Sequence, residues 1–346
     1  MHTCISNRAA AVVTYDYDDV VPAGQLDLRG DNSPPLATAV PMLAQPGLSA
    51  DELSSYGGVA GDPELRAILG ALIGVTGDQV LVTTGGSEAL FLALTCVADP
   101  GDTVLLPRPA FPGFEQLARL VGLRVVHYDV PGVPPRRRAG EPVVVCTPHN
   151  PTGIITTPGI SVRDDGWTVW DISHMSLAGR RIADLTAELA AHDILVFSLS
   201  KLLRLPGARV GCLVATDPAM LAAATRVKTH LSMSSSRPGQ HLAKRILSNP
   251  ATQDELDTRI ARFDDLRGEL LDAVAASRGL IAVAAADGTY VFVRTRDGSD
   301  AWQRLADAGV VGMPGVVFNS APDTVRLCIA QSDQIVREAA RRVKSL

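Results

Sequence analysis

At 346 residues, 46% of them hydrophobic, the chain is long enough to bury a large core and to divide into two domains of unequal size. Its net charge of -5 offers no basic surface, which sets nucleic acid aside as a partner, and no apolar run reaches the ~18 residues that cross a bilayer, which sets a membrane span aside. Cys4, Cys96, Cys146, Cys212 and Cys328 are scattered with no C-x-x-C, and the N-terminus has no secretory-signal pattern, so neither a disulfide framework nor a zinc site is indicated and a reducing, cytoplasmic setting is expected.

Residues 1–35 read as an irregular segment ending in L-D-L-R-G-D-N-S-P-P, a short strand and a turn, and they are expected to pack near the active site or the smaller domain. A helix is expected over Leu36–Leu43. The loop S-S-Y-G-G-V-A-G follows; no strand precedes its glycines, so a dinucleotide loop is rejected. Asp62 and Pro63 then cap and open a helix that runs to Ile73. In Q-V-L-V-T-T-G-G-S-E-A-L-F-L-A-L a β-branched strand gives way to glycines and an apolar helix, which makes Gly85, Gly86 and Ser87 an anion cradle. Taken alone, the two glycines are equally consistent with a plain strand-to-helix turn.

Strands T-V-L-L-P, R-V-V-H-Y, P-V-V-V-C-T-P, W-T-V-W-D and I-L-V-F-S follow, with a helix over Gly113–Gly122 and other crossovers between them. The cluster Arg136-Arg137-Arg138 reads as a solvated loop. Short apolar strands alternating with crossovers predict an α/β domain over 36–230 with a mostly parallel sheet covered on both faces. After about Thr216 the pattern changes to long helices, Pro218–Val227 and Gln240–Ser277, and then to strands T-Y-V-F-V-R and V-R-L-C-I-A around a helix over Ser299–Ala308. That predicts a smaller α+β domain over 231–346.

Ligands of such sheets gather at the carboxyl ends of the strands. Those ends hold Gly85-Gly86-Ser87, Phe111, Asn150, Asp171 and the segment F-S-L-S-K-L-L-R-L-P-G-A-R-V-G from Phe197 to Gly211. Lys201 in that segment follows a buried strand, where an amine is tolerated when it is neutral or covalently used, for instance as a Schiff base with a carbonyl cofactor. Ser198 and Arg209 would then serve a nearby phosphate, the guanidinium fork suiting its oxygens. An isolated S-x-S-K would more readily be a surface lysine.

Together the motifs Y-G-G, T-G-G-S-E-A, R-P-A-F-P, N-P-T-G, W-D-I-S-H, S-L-S-K with R-V-G, and V-R-L resemble, in the family's order and over nearly the whole chain, the fold-type I aminotransferases of classes I and II that use pyridoxal 5'-phosphate. In length and spacing the resemblance is to the histidinol-phosphate aminotransferase branch. It implies an aspartate aminotransferase-like fold with a large cofactor domain and a small C-terminal one. It also implies that Lys201 carries the Schiff base and moves the substrate's α-proton, that Asp171 keeps the pyridine nitrogen protonated, and that Asn150 donates to the ring's phenolic oxygen. Phe111 would stack on the ring, while Gly85, Gly86, Ser87, Ser198 and Arg209 would hold the phosphate. Tyr56 would reach a phosphate across a homodimer interface, and Arg326 would clamp the substrate α-carboxylate.

Two departures stand out. His174 occupies the place where relatives have an aromatic hydroxyl; an imidazole can donate the same hydrogen bond and can also act as acid or base. The connection between Gly153 and Trp167 is short, where relatives fit a helix. The function expected is transfer of an amino group from an amino acid to a 2-oxo acid, with no metal; the alternative on the same cofactor is decarboxylation, elimination with cyclisation, or oxidation. A module without turnover is a third reading, disfavoured by the complete residue set. Specificity is assigned to loop and N-terminal residues, among them Asn32, Arg29 and the segment near Met313-Pro314, and which amino acid is used is left open.

Overall fold

A computed structural model describes residues 6–13, 21–44, 47–132, 140–156, 166–174, 189–284 and 287–346. Cys4, the arginine cluster at 136–138 and most of the connection between Gly153 and Trp167 lie outside them.

Strands are numbered along the chain. β1 is Leu26–Asp27, β2 Val80–Thr83, β3 Thr103–Arg108, β4 Arg124–Asp129, β5 Val143–Cys146, β6 Thr168–Asp171, β7 Asp193–Ser198 and β8 Gly211–Ala215. Then come β9 Leu280–Ala282, β10 Tyr290–Thr295, β11 Val310–Val311, β12 Met313–Pro314 and β13 Thr324–Cys328. The large sheet has seven strands in the order β2-β8-β7-β6-β5-β3-β4, parallel except for β8, which runs against both of its neighbours. Strands β5 and β8 are buried along their whole length and β6 and β7 in all but their last residue, as two-sided coverage requires. One apolar cluster, with Leu65, Trp170 and Phe197, covers one face; another, with Leu92, Phe114 and Ala224, covers the other.

The second sheet is antiparallel, in the order β12-β13-β10-β9, and has its own core around Phe263, Val291 and Leu327. Leu28, just after β1, is fully buried in that core, and β1 pairs in parallel with β11, so the N-terminal segment is tied to the C-terminal part of the chain. Among the described residues no helix is long and apolar enough to cross a membrane.

Several elements differ from the sequence reading. The helix expected over Gln240–Ser277 is two helices, Arg237–Leu247 and Pro250–Ala276. Pro250 has no N–H to continue the first, and the Asn249 side chain accepts from Ala251 N at 3.1 Å to cap the second. The helix expected from Leu36 is regular only over Val40–Ala44. Strand β8 and the C-terminal helix Asp333–Lys344, whose Val336, Ala339 and Val343 are buried, were not anticipated.

Candidate active site

The site is a cavity of about 450 Å³ at the carboxyl ends of the parallel strands, a size usual for cofactor and small-molecule sites. Gly86, Ser87, Phe111, Asn150, Asp171, His174, Ser198, Lys201, Arg209, Arg326, Arg29 and Asn32 all line it.

One end is built where β2, β8 and β7 lie side by side. The helix Gly85–Val97 starts directly after β2, and its N-cap residue Thr84 makes no side-chain capping bond, which leaves the helix amino end to the cavity. Gly85 has φ +77°, and a Cβ there would stand 2.6 Å from Arg209 Nη2; one at Gly86 would stand 3.3 Å from the Ser198 Cβ. A side chain at Gly85 would displace the Arg209 guanidinium, and one at Gly86 would crowd Ser198. Arg209 is itself fixed by bonds from Nη1 to the Pro206 carbonyl at 3.1 Å and from Nη2 to the Thr84 carbonyl at 3.5 Å. Gly85 stands behind this wall and does not line the cavity.

Lys201 lies in a single helical turn, Leu199–Leu202, directly after β7; the Ser198 hydroxyl caps that turn, accepting from Ser200 N at 3.3 Å. Burial lowers the Lys201 pKa, an effect that the charge of Asp31 partly offsets. Asp171, the last residue of β6, accepts from Ser173 N at 3.0 Å, and burial pushes its carboxyl up. A cationic N–H in the cavity would relieve that penalty.

His174 is buried, its ring edge-on to Tyr290 with centroids 4.9 Å apart. Burial, then the charges of Lys201 and Arg326, lower its pKa to about 3, and its Nδ1 has no hydrogen-bond partner. Phe111 packs edge-on against Phe114 at 5.7 Å and faces the cavity after β3.

The opposite end is centred on Arg326 of β13. Nη1 donates to Asn150 Oδ1 at 2.9 Å and Nη2 to the Arg29 carbonyl at 2.6 Å, while the guanidinium carbon stands 4.2 Å from the Tyr290 ring centre and 4.8 Å from that of Phe318. Its Nε is buried without a partner. Around it, Arg29 pairs with both oxygens of Asp27 at 3.1 Å, and Asp31 is ion-paired with Arg204, its Oδ1 3.0 Å from Nε, which donates to the Ser33 carbonyl.

Asp27, Asp31, Ser173 and Tyr290 line the cavity and were missed by sequence reasoning. The run D-L-R-G-D held the only signal for the two aspartates, and nothing local marks Tyr290. Tyr56 is not in the cavity: it is 82% exposed and borders a separate pocket with Arg237 and Lys244. Met313–Pro314 does not line the cavity either; Met313 pairs with Arg326 across the small sheet.

These features fit pyridoxal phosphate. They comprise an anion cradle that a Cβ would close, a buried amine with a lowered pKa, a carboxylate whose burial is poorly offset, and orphaned polar atoms on His174 and Arg326. No cluster of three or more metal-ligating side chains occurs among the described residues.

The sequence model of the family "Aminotransferase class I and II" matches residues 22–343. The aspartate/prephenate aminotransferase of Thermus thermophilus is 28% identical over 84% of this chain and 82% of its own. The 4-dedimethylamino-4-oxo-anhydrotetracycline transaminase OxyQ of Streptomyces rimosus is 29% identical over 89% and 92%, and the histidinol-phosphate aminotransferase of Stenotrophomonas maltophilia 28% identical over 78% and 79%. Among solved structures, a mutant Thermus thermophilus aspartate aminotransferase superposes with a TM-score of 0.81 at 25% identity, covering 99% of both chains. An aminotransferase from Staphylococcus aureus reaches a TM-score of 0.85 at 23% identity, covering 98% of both, a likeness of fold.

Proposed function

The chain belongs to the class I and II aminotransferases and is a pyridoxal-phosphate-dependent enzyme, and from that premise we propose how its own residues divide the work. Gly86, Ser87, Ser198 and Arg209 hold the cofactor phosphate, and Gly85, outside the cavity, leaves room for the Arg209 guanidinium. Phe111 lies against the ring, and Asn150 and His174 supply hydrogen bonds to its polar edge. Asp171 holds a proton on the ring nitrogen. The bound cofactor supplies an electron sink for the electron pair left at the substrate α-carbon.

Arg326 takes the substrate α-carboxylate. The support is its geometry: a buried guanidinium packed against two aromatic rings, with Nε unsatisfied and Asn150 beside it. Held there, the substrate would present its α-hydrogen to Lys201, whose Nζ would accept and carry that proton. His174, with a pKa of about 3, is neutral across the physiological range. That favours a hydrogen-bonding role over service as a proton reservoir. Arg29, Asp27, Asp31 and Asn32 form the wall against which the substrate side chain is read.

Aminotransferases of this family are generally dimeric, and in this reading a second copy supplies Tyr56 to the phosphate end. Its 82% exposure on a loop anchored by the Arg237–Ser55 hydrogen bond at 2.8 Å, with Leu53 and Met233 also exposed nearby, supports that role. The proposed setting is the cytoplasm.

The observation that carries the assignment of roles is the convergence of Lys201, Asp171, Asn150 and Arg326 on one cavity. The test is to follow the cofactor's absorbance in the purified holoenzyme while adding a panel of amino acids, then 2-oxo acids, with Lys201→Ala as control. A band that bleaches with a donor and returns only with a 2-oxo acid is expected, and the variant should do neither. Return of the band without an acceptor would mean that the electron pair has another fate.

A further inference from the structure

One turn into the helix Gly85–Val97 lies a carboxylate that the reaction does not use. Glu88, its side chain 8% exposed, accepts from Thr84 N and from the Ser232 hydroxyl. Lys228, fully buried on the helix Pro218–Leu231, reaches both Glu88 oxygens at 3.2 and 3.3 Å and Ser232 Oγ at 2.8 Å. Burial alone would raise the Glu88 pKa; the bonds from Ser232 and Thr84 and the charge of Lys228 outweigh it and hold the group below the usual carboxylate range.

An acidic side chain in a first turn ordinarily complements the positive end of the helix. At this helix the same end faces the proposed phosphate end of the cavity, where a second negative charge competes with the ligand. Thr84 joins the two sites: its N–H is held by Glu88, while its carbonyl accepts from Arg209 Nη2 at 3.5 Å. Whatever fixes Thr84 therefore bears on both the helix end and the arginine.

We propose that Glu88 and Lys228 are a positioning pair for cofactor binding: Glu88 pins the Thr84 turn, and Lys228 cancels its charge so that the helix end can still receive a dianion. This rests on the phosphate reading of Gly86, Ser87, Ser198 and Arg209. A buried ion pair on its own is weak evidence for stability, so the pair is distinguished by the sign of the charge each variant leaves behind.

The experiment measures dissociation constants of the apoenzyme for pyridoxal phosphate, by absorbance, and for inorganic phosphate, by calorimetry, together with the apoenzyme Tm. Lys228→Met leaves an uncompensated carboxylate and should weaken both ligands about tenfold or more. Glu88→Gln keeps the shape and the acceptor for Thr84 and should bind phosphate at least as tightly as the wild type. The double variant should return to within about threefold of the wild type. Weakening in all three variants, or a change in Tm with affinities untouched, overturns the proposal. Should Lys228→Met not fold, weaker phosphate binding by Glu88→Gln is enough to overturn it, and unweakened binding there with near-wild-type affinity in the double variant sustains it. Arg209→Met is the benchmark: if it leaves phosphate affinity unchanged, the phosphate reading itself has failed. If it weakens binding while Lys228→Met does not, only the pair has.

Discussion

The two ends of the cavity are built on different principles. At the phosphate end, Gly86, Ser87, Ser198 and Arg209 come from the ends of β2, β7 and β8, three strands adjacent in one sheet, and the strand-to-helix turn supplies the donors. At the carboxylate end, Arg326 of the small sheet is held by a carbonyl of the N-terminal segment, an amide from the loop after β5, and two rings, one from β10 and one from the segment before β13. The first end is a local solution to anion binding that backbone conformation largely determines. The second exists only when distant segments are packed together. On the proposed roles, cofactor retention and substrate choice should therefore be separable.

The strongest test of that separation is Arg326→Met. It should lower kcat/KM for the amino donor by about 10²–10³-fold, since removing one partner of a buried charged hydrogen bond costs ~2–5 kcal/mol and leaves Asn150 unpaired. Cofactor retention should be unchanged; equilibrium dialysis showing the cofactor lost would erase the distinction between the two ends. The converse variant, Arg209→Met, should weaken the cofactor by roughly 10–10²-fold, the ~1.5–3 kcal/mol of a hydrogen bond to a charged group. Its kcat/KM at saturating cofactor should stay close to wild type, and a large loss there would show that Arg209 also serves the substrate.

A smaller effect is expected at His174, between the ends. Its folded pKa of about 3 lies below the ordinary 6.5. Within that window the unfolded chain holds a proton that the folded chain does not, so this part of the stability is complete above 6.5 and is lost as pH falls toward 3. His149, also lowered to about 3 by burial, adds the same trend. His174→Phe keeps a ring beside Tyr290 and should remove one of the two contributions. Denaturant unfolding of the apoprotein at pH ~6.5 and ~4.5 should show the variant losing about 2–3 kcal/mol less than the wild type, at ~1.4 kcal/mol per pH unit. An equal loss in both would mean that His174 is solvated or charged in the folded state.

Much of the large domain was legible because its signals are local. Alternating apolar strands and crossovers predict the parallel sheet, and Asp62, Pro63 and Gly74 punctuate a helix as capping chemistry requires. The motif at Lys201 was legible because an ammonium just after the apolar run Ile194–Phe197 is costly unless its charge is lost or used. Strand β8 was hidden because G-C-L-V-A directly follows the loop that carries the chemistry, and its antiparallel insertion between β2 and β7 has no signal within five residues. The missed break at Asn249-Pro250 was an error of weighting, since the proline was there to be read.

The sequence alone put forward the groups proposed to carry the chemistry: a lysine just after a strand, an aspartate two elements earlier, and a glycine turn at a helix start, each marked by signals acting over a few residues. Tertiary structure decided what those groups face. It put Asp27, Asp31 and Tyr290 into the cavity wall, lowered the Lys201 and His174 pKa values by burial, left Tyr56 outside on an exposed loop, and set Lys228 behind the phosphate end. Burial and pairing between residues a hundred or more positions apart depend on how elements pack, and no short stretch of sequence encodes that packing by itself.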